Sequence, residues 1–167
     1  MVIVSIINWI ILFSFIAFCI CKYGLLPSYA EYSVRLNKSC PNFPIWAVVN
    51  IIISFLMFPI FTKLAEMNDY HFIGLFAPAY FMAVAPALYK EMDQYEDICR
   101  TVFMGLCAPA CICWIVFVAH TLYILLVSAV IFALIGFITR TLVSCKTLWC
   151  ELTVFLAIFL SILSILL

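Results

Sequence analysis

Charge is what this chain has least of. Lys and Arg number eight, Asp and Glu another eight, and together they are 10% of 167 residues against 69% hydrophobic. Residues 2–21, 42–62, 72–89 and 101–139 contain no Lys, Arg, Asp or Glu. With a mean hydropathy of +1.29, a soluble domain of this length lacks the interior volume to hide so much apolar surface. The formal net charge is zero, which excludes the basic surface that a nucleic-acid partner requires. The longest polar stretch, residues 22–41, is loop-sized and keeps several aromatics, so it does not read as a disordered tail. Glycine is sparse and Phe and Ile are abundant, which carries no functional weight. The first apolar run also lacks a preceding basic residue and a small-residue cleavage site, with Phe18 where a lipoprotein signal needs a small side chain. It is expected to remain as a transmembrane helix.

What is present is a set of apolar runs of membrane length. The first three are each about one helical crossing, and the fourth is about twice that. The expected fold is all-α: a single polytopic membrane domain of six helices near 2–22, 43–63, 71–90, 100–118, 121–139 and 147–167. A single helix over 101–139 would be nearly twice as long as the hydrocarbon layer is thick. The chain must turn back inside it, and Ala119-His120-Thr121 carries the run's one histidine. Six crossings place Lys22, Arg35, Lys38, Lys90, Arg100, Arg140 and Lys146 on one side and Lys63 alone on the other. Short loops rich in Lys and Arg stay cytoplasmic, so both termini are expected on the non-cytoplasmic face. Cys40 and Cys145 then fall on the reducing side. The location this implies is a cell membrane of the bacterial inner-membrane type.

Motifs for chemistry are few. Nine cysteines are divided between apolar runs and charged borders, and they read as small packing residues. Cys107 and Cys111 share a helical face that Cys113 does not, so a soft-metal set is not formed. The loop 90–100 holds Glu91, Asp93, Glu96 and Asp97, but it lacks the glycine and ligand spacing of an EF-hand. Residues 29–35 could offer Tyr29, Glu31, Tyr32, Ser33 and Arg35 as a recognition surface, although interfacial anchoring explains the same residue types. His71 and His120, with Asp69 or Glu66, are the ligand types of a zinc hydrolase. No His-Glu-x-x-His motif accompanies them, and neither a metal nor another cofactor is expected. No Lys or Arg lies mid-membrane, and Glu151 is near a helix end, which counts against a proton relay or an ion-coupled pump.

Inside the apolar runs, Asn50 and Ser54 stand one turn apart, where buried polar groups bond to other helices. Ala129, Ala133 and Gly136 form a small-residue face for close packing on the fifth helix. Pro59, Pro78, Pro86 and Pro109 are expected to kink their helices, and kinked helices can frame a transport cavity.

The stretch Phe76-Ala-Pro-Ala-Tyr-Phe-Met-Ala-Val-Ala-Pro-Ala-Leu-Tyr-Lys-Glu, with Trp114 in the helix beyond the acidic loop, resembles small polytopic membrane proteins of gut Bacteroidetes and their phages. The Pro27-Ser-Tyr-Ala-Glu-Tyr-Ser segment is similar to the loop after their first helix. That resemblance implies a multi-span fold and no particular activity. The layout is also remotely similar to the superfamily of alkaline ceramidases and progestin/adipoQ-type receptors, which are seven-span zinc hydrolases. Their pattern needs three histidines, and this chain has two. The expected function is therefore non-enzymatic: helix packing with the lipid bilayer, with a membrane-protein partner or with further copies of the chain. A small-solute transporter or channel is the first alternative, and a zinc-dependent lipid hydrolase the second.

Overall fold

The computed structural model describes residues 1–40, 43–85 and 94–167, with side chains excepted at 94–101, 103 and 104. The described residues are helical, in the order α1 (Val2–Tyr23), α2 (Glu31–Ser39), α3 (Ile45–Met67), a 3-10 helix (Asp69–Leu75), α4 (Phe76–Val84), α5 (Gln94–Cys113), a π turn (Trp114–Val118), α6 (Leu122–Ile138) and α7 (Lys146–Leu166). Three of them, α1, α3 and α7, are long and apolar enough to cross a membrane, while Gly105–Val118 and α6 are shorter apolar helices. The chain divides into two compact units, one of Met1–Tyr32 with Ile115–Leu167 and the other of Ser33–Trp114.

In the first unit α7 packs between α1 and α6. Trp9 of α1 lies against Phe159 at 5.3 Å between ring centroids, and Phe132 of α6 lies against Trp149 at 6.1 Å. The α5-to-α6 connection turns at His120, whose φ of 52° is the left-handed value that reverses the chain. Thr121 closes the turn. Its N–H donates to the Ile115 carbonyl at 2.9 Å, and its hydroxyl meets that of Ser161 on α7 at 2.6 Å. The α6-to-α7 connection turns at Arg140, φ 56°, where Thr141 and Leu142 both donate to the Gly136 carbonyl. This left-handed residue after the helix satisfies carbonyls that α6 leaves over.

In the second unit α3 and α4 run antiparallel, with α5 returning along α4. Trp46 Nε1 donates to the Val84 carbonyl at one end, and the Ser54 hydroxyl donates to the Pro78 carbonyl midway. Phe61 stacks edge-on against Trp114 at the other end, 5.2 Å between centroids. Gly74 sits beneath that pair, where a Cβ would collide with the Phe61 ring.

Three expectations change. The polar segment after α1 is not simply a loop, because residues 31–39 form α2. That helix has Glu31 in its first turn and Lys38 in its last, as the helix dipole favours, and it buries Tyr32, Ser33 and Leu36 together. The third span, expected from residue 71, begins as a 3-10 helix, because Asn68 Oδ1 accepts the Tyr70 N–H at 3.0 Å and starts the chain in a tight turn. Pro78 falls in the first turn of α4 rather than inside a long helix. The 3-10 helix runs into α4 without a break, so the missing donor falls where the i→i+3 ladder gives way to the α-helical one. Pro59 and Pro109 do lie within α3 and α5, and the π turn follows Pro109 by five residues, consistent with the lost donor loosening the ladder. Pro86, Lys90, Glu91 and Asp93 lie outside the described residues, as do the side chains of Glu96, Asp97 and Arg100.

Candidate functional site

The described residues of the first unit form a groove. Phe13, Ile16, Ala17 and Ile20 recur on one face of α1 at helical spacing, and Phe132, Ile135 and Thr139 do the same on α6. With Trp149 and Leu152 of α7 as a back wall and Leu25 at one end, they enclose an open groove of about 340 Å³. Trp9 lies by Phe159 and Pro27 bonds Leu148, so α1 runs antiparallel to α7. The α6 helix does the same through the tight turn that sets Phe132 by Trp149, and α1 and α6 are therefore parallel. The C-terminal ends of both helices and the N-terminal end of α7 therefore lie at one end of this unit.

A strap of chain closes that end. Gly24 ends α1 with φ 76°, and the Tyr32 hydroxyl donates to its carbonyl at 2.9 Å while accepting the Leu26 N–H at 3.3 Å. Burial pushes the Tyr32 phenol above its ordinary pKa, so it stays protonated and able to donate. Glu151 on α7 accepts the Tyr29 N–H at 2.7 Å, the Leu148 N–H donates to the Pro27 carbonyl at 2.9 Å, and the Tyr29 ring meets Phe155 edge-on at 5.7 Å. Tyr29, Tyr32 and Ser33 are fully buried. They are not available as a recognition surface, and only Glu31 and Arg35 of that set are exposed. Sequence reasoning missed the strap, although a glycine after an apolar helix and an acidic residue opening a short amphipathic run were there to suggest it.

Of the four zinc candidates, Glu66, Asp69 and His71 belong to the second unit and His120 to the first. His71 is buried in the second unit, where its Nδ1 accepts the Trp114 indole N–H at 3.1 Å. That bond leaves Nε2 as its one nitrogen for a metal. Glu66 is exposed and paired with Lys63 at 2.6 Å, Asp69 is exposed in the 3-10 turn, and His120 is exposed in the first unit. Among the described residues no three of His, Cys, Asp and Glu gather as a metal site. Cys107 and Cys111 are buried on one face of α5 while Cys113 is exposed.

The packing candidates divide as well. Ser54 bonds across to α4, whereas Asn50 Nδ2 donates to Trp46 of its own helix at 2.9 Å. Gly136 is buried, with Leu142 and Trp149 close above it. Ala129 is half-buried and Ala133 exposed.

No protein-family model, curated protein or solved structure matches this chain.

Proposed function

We propose that the chain is a multi-pass integral membrane protein that acts through helix packing with lipid and membrane partners rather than by catalysis. The observation that carries this reading is the surface of α6. Of its 17 residues, Ile124, Ser128 and Gly136 are buried, while Leu122, Leu126, Val130, Leu134 and Phe137 are among those that stand exposed. A helix apolar all round yet outward-facing has its place in hydrocarbon, because water would be driven from that surface at about 25 cal/mol per Å². Exposed Phe55 and Phe58 on α3, and Ile3 and Ile10 on α1, add to it. In this reading the chain crosses six times with both ends non-cytoplasmic in a cell membrane. The short helices complete their crossings with the turns that flank them, and the basic ends meet the cytoplasmic headgroups. Extraction of membranes from expressing cells with alkaline carbonate tests it. The chain is expected to stay in the pellet and dissolve with detergent. Release into the carbonate supernatant would overturn the reading.

A further inference from the structure

At its α6–α7 end, the α1–α6–α7 groove is more than an apolar cleft. The connection at residues 139–147 reads Thr-Arg-Thr-Leu-Val-Ser-Cys-Lys-Thr, with two cations, four hydroxyl side chains and no acid. Lys146 opens α7 one turn before the lining residue Trp149. Arg140 follows the lining residue Thr139 directly. Both cations are exposed. The next acid along the chain, Glu151, accepts the Tyr29 N–H. Lys22 is at the same end but lies over the rings of Phe18 and Tyr23, at 5.6 and 5.2 Å. From Phe13 to Ile20 the groove follows about 10 Å of helix axis, roughly a third of a hydrocarbon layer.

We propose that this groove is a binding site for an anionic phospholipid. The upper part of one acyl chain lies between α1 and α6 against Trp149, and the headgroup phosphate is held by Arg140 and Lys146. The site rests on the membrane reading above and deepens it. An apolar slot accepts any acyl chain, so the cations are what choose the lipid. A basic residue near an anionic surface favours it about fivefold.

Quenching of Trp149 by brominated lipid reads the site directly, because bromine in the acyl chain quenches indoles in contact with it. The full chain is reconstituted in phosphatidylcholine vesicles. One fifth of the lipid is brominated phosphatidylglycerol in one set and brominated phosphatidylcholine in the other. The Trp149 signal is the difference from a Trp149→Phe chain; Trp149 is 6% exposed at the groove wall, against 1% or less for Trp9, Trp46 and Trp114. Brominated phosphatidylglycerol is expected to occupy the site several-fold above its share. Arg140→Gln with Lys146→Gln should return it to the level of phosphatidylcholine. Ala17→Phe, at an exposed lining position, should lower quenching by both lipids. Equal quenching by the two lipids in the unaltered chain would overturn the site, as would a preference that survives the double substitution. Absence of the preference in an unaltered chain that still floats with the vesicles refutes the site alone. A chain that does not float refutes the membrane reading with it.

Discussion

Gly74 and His71 share one cluster with Phe61 and Trp114, and each tests it in a different way. A methyl group at Gly74 would meet the edge of the Phe61 ring and come within 3.1 Å of Trp114 Nε1. Gly74→Ala should therefore destabilise the second unit by about 1–3 kcal/mol, the usual range for overpacking, seen as a lower melting temperature in detergent. The His71 test is one of hydrogen bonding, since its Nδ1 accepts the Trp114 indole proton. His71→Phe leaves that buried indole N–H unpaired and should cost about 1–3 kcal/mol, seen as a lower melting temperature. His71→Gln keeps an acceptor and should melt closer to the unaltered chain. Equal melting of the two variants would mean that the bond contributes nothing.

Between elements, the strap from Gly24 to Tyr32 depends on a few bonds to α7 and to itself. Glu151→Ala removes the acceptor of the Tyr29 N–H, a loss of about 1–3 kcal/mol when a part-buried donor gives up a charged partner. Glu151→Gln retains a carbonyl oxygen and should recover most of it. Hydrogen exchange at Tyr29 is the readout, with faster exchange in the alanine variant than in the glutamine variant. Tyr32→Phe deletes the hydroxyl that joins Gly24 to Leu26 and should speed exchange at Leu26 while leaving α7 unchanged. Equal exchange in all four chains would mean that the strap owes its place to apolar contacts such as Tyr29 on Phe155. The sequence announces that α1 ends at the basic border with Gly24. It does not announce Glu151 as the partner of a backbone group 122 residues away, because nothing local to either residue records the other.

For the whole chain, the decisive quantity is the side of the membrane on which each connection lies. The proposed topology, drawn from the asymmetry of Lys and Arg, has residues 22–41 and 139–147 inside and the His120 turn outside. Cys21 is exposed and Cys40 half-buried, so both can report on the inner side, whereas Cys145 is buried and is a poor probe. A membrane-impermeant maleimide added to intact cells should label a His120→Cys chain and leave Cys21 and Cys40 unmodified until the membrane is opened. Labelling of Cys40 in intact cells would reverse the topology.

Hydropathy and charge add along the chain, so the sequence alone determined the apolar helices, their boundaries to within a few residues at α1, α6 and α7, and the turn at His120. Helix-forming stretches without charge have few other ways to satisfy their backbone in an apolar setting. The meeting of side chains from distant helices is different in kind, since it depends on which faces turn toward each other. Only the tertiary structure decided that His71 bonds an indole, that Tyr29 and Tyr32 are buried and that Ala133 is exposed while Gly136 lies under Trp149. It also decided that α1, α6 and α7 leave a groove with Lys146 and Arg140 at one end. A tyrosine or a glycine has the same local propensity whether it faces a neighbouring helix or lipid, and the difference lies in what the fold places opposite it.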